Sequence, residues 1–395
     1  MKKLALVALF FAVIQSVTAQ DRVITTGVPF LLISADARAA GMGDMGVASS
    51  ADVFSQQYNP AKYAFSPFKH GFSVSYTPYL TSIANDISLG QVTYYNRFNE
   101  RSAFAGSLRY FGLGDITLTD DSGQELRTVN PNEFAFDLSY SLKLSDMFSM
   151  GVAGRYIRSN LKIATDNNDA SAANSFAVDV AAFFQSEEIA YSDFNGRWRA
   201  GINLQNLGPK ISYDGDVERS SNFLPSNMKL GVGFDFIMDE YNKVTVLAET
   251  NKLLVPTPEK VTPTDRNDDG IIDSNEISTA YAEANQRYRD IGWASGIFKS
   301  FGDAPDGFSE ELKEFTWALG AEYWYQDSFA FRAGYFNESV EKGARKFATI
   351  GAGFKYNIVK VDVSYLFSTS KVRNPLENTL RFSLTFNFGD SYDDL

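Results

Sequence analysis

Apolar and polar side chains alternate along much of the chain with a period of two residues. In one stretch, Phe134, Phe136, Leu138, Tyr140, Leu142 and Leu144 alternate with Ala135, Asp137, Ser139, Ser141 and Lys143. Successive side chains of a β-strand face opposite sides, so the pattern predicts a strand with one apolar face and one small or polar face. A soluble sandwich turns such an apolar face to a core, whereas a membrane barrel turns it to lipid.

The same alternation recurs along the chain and predicts about fourteen strands. Their centres lie near residues 74, 92, 107, 139, 153, 180, 201, 233, 246, 320, 332, 352, 363 and 384. Each strand has a length that crosses a bilayer when tilted, roughly 9–11 residues. Bacterial barrels have an even number of strands, and the barrel must close because lipid cannot satisfy an open strand edge.

The lengths of the connections support a membrane barrel over a sandwich. Short turns are expected at 99–100, 145–146, 239–242, 326–327 and 357, and long loops at 112–132, 159–174, 207–227, 251–313 and 368–379. Short turns and long loops alternate, as they do between the periplasmic and outer sides of such barrels. The connection 186–196 is the exception, being long for a periplasmic turn. We therefore predict a fourteen-stranded antiparallel transmembrane outer-membrane β-barrel over residues 69–388.

The two ends of the chain lack this alternation. Residues 1–20 read as a signal peptide, with Lys2 and Lys3 ahead of an apolar run and small residues at 17–19. Residues 21–68 contain an Ala-rich stretch that predicts a short helix ending at Gly41. This segment, which precedes the first strand, is expected to fold back into the lumen as a plug. An acidic tail, 389–395, follows the last predicted strand.

Composition narrows the chemistry. The chain has no cysteine, which excludes disulfides and thiolate sites, and its net charge of −12 argues against a nucleic-acid partner. The only histidine, His70, is expected to be a polar residue at a strand end, and no G-x-S-x-G elbow is present, so we expect no enzyme. Charged residues fall on the polar strand faces and are expected to pair with each other or with the plug: Arg155, Asp179, Arg197, Arg199, Asp235, Glu249, Glu322 and Lys355.

The longest loop contains a candidate calcium motif. Residues 265–276 fit D-x-[DN]-x-[DN]-G-x5-E at every defined position. The expected oxygen ligands are Asp265, Asn267, Asp269, the Ile271 carbonyl, Asp273 and Glu276. Prolines before the motif exclude an entering helix, although apolar residues at helical spacing predict a helix after it. The alternative is a solvated turn rich in Asp and Asn without an ion.

An apolar stretch follows the calcium motif in the same loop. It contains Trp293, Ile297, Phe298 and Phe301. These side chains can form an exposed patch that docks on a partner, or they can belong to a lid packed over the barrel mouth.

The sequence also resembles a known family. The run GVPFLLISADARAAGMGDMGVASSADVFSQQYNPAKYAF (27–65) closely resembles the start of PorV proteins, outer-membrane components of the type IX secretion system of Bacteroidetes. Segments 203–213, 249–258, 298–314 and 332–339 resemble the same family. A more distant similarity is to the FadL-like fatty-acid transporter barrels, which also have fourteen strands and an N-terminal hatch.

This resemblance implies a role in secretion. PorV-like proteins receive exported substrates by their C-terminal signal domain at the SprA (Sov) translocon and pass them to the PorU sortase for attachment at the cell surface. The family has no binding motif that can be transferred residue by residue, so the outer loops are the expected contact region. The alternative is a FadL-like transporter of hydrophobic solutes, which would need an apolar lumen. An enzyme acting on lipopolysaccharide is the least favoured interpretation.

Overall fold

Fourteen antiparallel strands close into a single barrel in the computed structural model. The structure describes residues 23–391 except 82–83, 85, 121, 163–170, 214–220 and 371–373. The predicted signal peptide lies outside the described residues, and so do the last residues of the predicted tail, 392–395.

Each of the fourteen predicted strand centres falls within an observed wall strand. In chain order, the wall strands β1–β14 are Phe68–Pro78, Ser88–Arg97, Ser102–Gly112, Asn132–Ser145, Phe148–Asn160, Ala173–Gln185, Asn195–Leu207, Asn227–Ile237, Asn242–Leu253, Phe315–Tyr325, Phe329–Asn337, Lys346–Tyr356, Val359–Ser368 and Leu380–Ser391. Each pairs with its neighbours in sequence, and β14 returns to β1 with Phe386 opposite Phe72. The predicted fold class is therefore confirmed.

The wall extends further than the apolar alternation indicates. A register shift near its start lets Phe68 pair with Ser391, so β1 begins at Phe68 and β14 ends at Ser391. Residues 389–391 thus belong to the wall and not to the tail, which corrects the predicted boundaries of 69 and 388. The prediction missed this extension because glycine and aspartate at 389–390 interrupt the apolar pattern, and the ladder shifts register there before Ser391 pairs with Phe68.

The alternation places apolar side chains on the outer face of the wall. Phe136 and Leu138 are 44% and 59% exposed, whereas Asp137 between them is 1% exposed and faces the lumen. In a bilayer the exposed apolar side chains contact lipid, and pairing with neighbouring strands satisfies the ladder amides of the described wall strands apart from a few register shifts. His70 lies near the start of β1, where its Nδ1 is 3.0 Å from the Tyr94 hydroxyl.

The connections differ between the two ends of the barrel. The turns at the periplasmic end span 98–101, 146–147, 238–241, 326–328 and 357–358, and the long loops lie at the opposite, outer end. The exception at 186–194 is explained by a short strand, Ile189–Ala190, which pairs with Asn195 and Gly196 and lengthens that periplasmic hairpin. Two small hairpins extend the outer loops, Ile116–Thr119 with Glu125–Val129 and Ile211–Ser212 with Ser221–Asn222.

The helices lie in two regions. Two short helices precede β1, α1 (Ala37–Ala40) and α2 (Ser55–Tyr58), and α1 ends at Gly41 as predicted. The longest outer loop contains three helices, α3 (Ser274–Asp290), α4 (Trp293–Lys299) and α5 (Phe308–Glu311). Three 3-10 turns accompany them, Pro29–Leu32, Pro60–Phe65 and Leu312–Glu314. Among the described residues, no helix is both long and apolar enough to span a bilayer.

Residues 23–67, called the N-terminal segment below, lie inside the barrel. Their hydrogen-bond partners are lumen-facing side chains spread around the wall, among them Thr77, Arg109, Ser139, Asn203, Glu249, Glu322, Thr349 and Ser383. The amide of Gly27 donates to the Phe223 carbonyl at the outer end, and Ser66 meets Tyr95 at the periplasmic end. The segment therefore runs through the lumen from the outer end towards the periplasm.

Candidate functional site

The N-terminal segment is tied to the wall by a buried ion network. Arg38 donates to Glu322 on β10 at 2.8 Å and to Asp52 at 2.8 Å. Arg332 on β11 reaches the same Glu322 at 2.6 Å and Asp362 on β13 at 2.9 Å. Buried charges are tolerated only when they are paired. The carboxylate of Glu322 pairs with Arg38 of the segment and with Arg332 of the wall, and it thereby links the two.

Several of the other lumen charges are paired as the sequence predicts. Arg155 contacts Asp179 at 3.0 Å, and Arg199 is paired with Asp235. A carboxylate oxygen of Glu249 accepts hydrogen bonds from the backbone amides of Gly46 and Val47 in the N-terminal segment, at 2.9 and 3.0 Å. The polar wall faces thus bind the segment that fills them.

Wall glycines let the backbone of the N-terminal segment lie directly against the strands. A Cβ atom added at Gly334 would lie 2.2 Å from the nitrogen of Gly43, and one added at Gly201 would lie 2.2 Å from the carbonyl oxygen of Val47. Both contacts are with backbone atoms, which cannot move aside as the end of a flexible side chain can. The fit between segment and wall therefore depends on the absence of side chains at these positions.

The long outer loop, residues 254–314, is folded and packs against a neighbouring outer loop. Helix α3 is buried at Ala284, and the Tyr288 hydroxyl donates to the Pro256 carbonyl at 2.9 Å. The ring of Phe223, on a neighbouring loop, packs edge-on against Tyr288 with centroids 5.5 Å apart. The loop therefore has a folded structure of its own, and the name lid is used for residues 254–314 below.

Buried ion pairs hold the base of the lid. Lys252 at the end of β9 contacts Glu314 at 2.6 Å and Glu311 at 2.8 Å, and Lys342 from the next outer loop contacts Glu314 at 3.0 Å. Burial would raise the pKa of Glu314, but hydrogen bonds from Lys252, Thr257 and Lys342 outweigh it and lower that pKa. Burial raises the pKa of nearby Asp303 to about 6.

Asp303, Glu311 and Glu314 also form a compact acidic cluster, with carboxylate oxygens within 4.8 Å of one another. The ammonium groups of Lys252 and Lys342 are hydrogen-bonded into it, so the lysines already supply the compensating positive charge. We interpret this cluster as a structural clasp and assign no cation to it.

The predicted calcium loop is closed by hydrogen bonds from its own backbone. The amide of Gly270 donates to Asp265 Oδ2 at 2.7 Å, and those of Asp269 and Ile271 donate to Asn267 Oδ1 at 3.1 Å and Asp269 Oδ1 at 2.8 Å. Gly270 has a φ of 83°, a left-handed conformation that suits glycine. Each amide thus orients an oxygen donor that the motif requires.

The two ends of the motif meet in the structure. Glu276 Oε1 accepts from the amide of Arg266 at 2.6 Å, and its Oε2 accepts from the amide of Asp273, which caps α3. Asp265 Oδ1 is buried and has no hydrogen-bond partner within the described part of the chain. This orphaned oxygen and the all-oxygen donor set fit a hard cation such as calcium.

The predicted apolar patch is exposed on the lid. Phe298 is 81% exposed, Trp293 and Phe301 are partly exposed, and Ile297 is half-buried beside Gly296, which packs on Phe223. The sequence analysis did not single out Phe308, which is 76% exposed, or the exposed Leu312. Their spacing of four residues is the signal of a shared helical face, but α5 itself has only four residues.

Comparison with known proteins places the chain in a family. A family model described as "Type IX secretion system protein PorV" matches residues 16–260, which is more than half of the chain. The chain belongs to the PorV family. Membership identifies it as an outer-membrane component of type IX secretion. The match ends before the calcium loop, so that motif lies outside the part of the chain that carries the family signature. No curated protein matches the chain.

Solved structures with a similar fold share little sequence with this PorV family member. The Ralstonia pickettii toluene transporter TbuX is 11% identical, with 91% of this chain and 100% of that chain covered and a TM-score of 0.48. A Pseudomonas aeruginosa FadL homologue is 13% identical, with 90% and 99% covered and a TM-score of 0.44. The CymD monoaromatic hydrocarbon channel is 12% identical, with 90% and 98% covered and a TM-score of 0.49. At these scores, we take no functional argument from them.

Proposed function

We propose that this protein is a secretion shuttle of the outer membrane. It receives exported substrates by their C-terminal signal domain from the SprA (Sov) translocon and passes them to the PorU sortase. The family match over residues 16–260 carries this proposal. Two features support it, a lumen occupied by the N-terminal segment and a folded lid with exposed aromatic side chains.

The filled lumen argues against transport of hydrophobic solutes. Such a route needs an apolar path through the wall or along its axis. Here the middle of the lumen contains the buried ion network of Arg38, Glu322 and Arg332, and the segment backbone lies against the wall. A solute that crossed the lumen would have to separate paired charges in a low-dielectric interior. We therefore place the functional contacts of the protein on the surface of the barrel and not in its lumen.

The lid is the surface best suited to partners. Large exposed aromatic side chains are enriched at the centres of protein interfaces, where they contribute most of the binding free energy. Phe298 and Phe308 are the most exposed aromatic side chains of the lid, and Trp293, Ile297 and Phe301 accompany them. We propose that this patch contacts the substrate signal domain or the translocon.

Placing aspartate at Phe298 and Phe308 tests the patch. The double variant Phe298→Asp/Phe308→Asp is expected to reduce recovery of translocon and substrate with the tagged protein at least tenfold. Loss of a central interface aromatic typically costs about 2–4 kcal/mol. The measurement is affinity purification from solubilised outer membranes followed by quantitative mass spectrometry.

Leu126→Asp/Ile116→Asp provides the matched control. Leu126 and Ile116 are 63% and 40% exposed on a different outer hairpin, so their replacement adds the same two charges at exposed apolar sites. Its recovery of partners is expected to equal that of the unmodified protein. If the double variant recovers as much translocon and substrate as the unmodified protein, the patch is not the contact surface. If the double variant loses heat-modifiable gel mobility, it has misfolded, and Phe298→Ser/Phe308→Ser is used in its place.

We also propose that residues 265–276 bind a structural Ca²⁺. The ion would complete the oxygen set of Asp265, Asn267, Asp269, Asp273 and Glu276, together with the Ile271 carbonyl. It would fix the entry to α3 and thereby order the lid. The buried, unpartnered oxygen of Asp265 is the observation that supports it.

Calcium binding is expected to be weak and to depend on Asp269. Single loops of extracellular type bind with Kd of about 10⁻⁴–10⁻³ M. Calorimetric titration should show calcium-dependent heat that Asp269→Ala abolishes, and calcium should slow tryptic cleavage at Arg266. Asp268→Asn, which removes a charge at a non-ligand position of the same loop, should retain the heat. A calcium response absent from the unmodified protein, or equally weakened by both changes, would contradict the proposal.

A further inference from the structure

A second candidate site lies at the opposite end of the barrel from the lid. A cavity of about 270 Å³ opens at the periplasmic mouth. Its floor is the N-terminal segment at residues 50–54 and 65–67, and its walls are the periplasmic ends of strands around the barrel. We call this cavity the vestibule.

Positive charge dominates the vestibule. Arg38, Arg197, Lys243, Lys355 and Lys360 line it, against the carboxylates of Asp52 and Asp327. This excess stands out in a chain whose net charge is −12. A recess with low-dielectric walls focuses the field of its charges, which raises the local concentration of anions.

Three of these cations are only weakly neutralised. Lys243 is 3.9 Å from Asp327, whose side chain is 74% exposed, and Arg197 is 3.5 Å from a partly exposed Glu188. The Lys355 ammonium lies 5.6 Å from the ring centroid of Phe68, on the rim of the vestibule. By contrast, Arg38 and Lys360 contact buried carboxylates. The charge available to a ligand therefore comes from Arg197, Lys243 and Lys355.

Aromatic rings lie between the cations and restrict the ligand class. Phe54, Phe65, Phe68 and Trp324 line the vestibule. A small inorganic anion would leave these rings unused, and a lipid headgroup would have to leave the bilayer because the vestibule lies inside the wall. A ligand with acidic side chains next to apolar ones would contact both the cations and the aromatic rings. The volume is near the lower limit of ligand pockets, roughly 300 Å³, and suits a short segment of chain better than a folded domain.

We propose that the vestibule binds a short acidic peptide segment, containing aromatic residues, from a periplasmic partner. The cations attract its carboxylates, and the partly exposed rings of Phe68 and Trp324 contact its apolar side chains. Such binding would anchor the barrel on the periplasmic side while the lid acts on the outer side. This inference goes beyond the shuttle function, which concerns the opposite face of the membrane.

Binding of a defined peptide tests the inference. The probe is a fluorescein-labelled octapeptide of alternating aspartate and phenylalanine, added to the purified protein in nanodiscs that leave both faces accessible. Fluorescence anisotropy is expected to show saturable binding that weakens with salt. Lys243→Gln/Lys355→Gln should weaken it about tenfold, as expected for the loss of two partly buried charge contacts. Lys260→Gln/Lys299→Gln on the lid removes the same charge and should leave it unchanged.

Three results would overturn the inference. The first is equal binding of the same peptide with asparagine in place of aspartate, and the second is equal weakening by the two lysine pairs. The third is full displacement by inorganic phosphate at 1 mM or by phosphatidylglycerol in the nanodisc, which would indicate a simple anion site. The peptide-binding test concerns the periplasmic face, and the partner-recovery test concerns the lid on the outer face. A negative peptide-binding result therefore does not contradict the shuttle function, and a negative partner-recovery result does not contradict peptide binding in the vestibule.

Discussion

Replacing Glu322 by glutamine is expected to lower the free energy of unfolding by about 3–5 kcal/mol, the usual cost of removing one partner from a buried ion pair. The change leaves Arg38 of the N-terminal segment and Arg332 of the wall without their shared charge. Both guanidinium groups are buried, so water cannot replace the carboxylate. Urea unfolding in detergent micelles, followed by tryptophan fluorescence, measures the loss.

Glu341→Gln is the control for the same chemical change at the surface. Glu341 contacts Lys313 at 2.7 Å, but the two side chains are 54% and 41% exposed. Exposed pairs contribute about 0–1 kcal/mol, so this variant should unfold nearly as the unmodified protein does. Similar losses from the two variants would show that the ion network does not hold the segment in place.

Replacing Gly334 by valine is expected to force the N-terminal segment off the wall. The new Cβ would lie 2.2 Å from backbone atoms of Met42 and Gly43. Overpacking typically costs about 1–3 kcal/mol, and the upper part of that range applies because the clash is with backbone atoms and can be relieved only if the segment shifts as a whole. The unfolding free energy should fall by about 3 kcal/mol. Planar bilayers containing the variant should show a higher ion conductance than bilayers containing the unmodified protein.

Gly154→Val separates steric displacement from a general effect of valine in the wall. Gly154 is also a strand glycine, but nothing lies within 4 Å of an added Cβ there. Valine suits a strand, so this variant should be as stable as the parent or slightly more stable, with no rise in conductance. A rise in conductance from Gly154→Val, or none from a folded Gly334→Val, would mean that the segment does not seal the lumen by this contact.

The sequence predicted the wall well because each wall strand meets two different environments. Lipid on one side and a polar lumen on the other impose the period of two, which is visible at Phe136, Asp137 and Leu138. Where the environment is the same on both sides, the pattern fails. Residues 389–391 extend β14 past a register shift, with Ser391 paired to Phe68, and residues 189–190 extend a hairpin beyond the wall.

Long-range contacts could not be predicted from local pattern. Arg38 and Glu322 are 284 residues apart in sequence, and only the closed barrel brings them together. The vestibule is likewise assembled from cations on separate strands, each of which looks like an ordinary lumen charge in the sequence. The calcium motif could be proposed from the sequence because all its expected donors lie within twelve consecutive residues, and calcium binding stays a prediction. The predicted helix after it is present and begins with a capping box at Asp273 and Glu276.

The path of the N-terminal segment has a topological consequence. Gly27 is bonded to Phe223 at the outer end, while β1 starts at the periplasmic end, so the chain is threaded through the cylinder that its own later strands complete. A large domain fused ahead of residue 23 would therefore emerge at the outer end of the barrel, on the same side as residues 254–314.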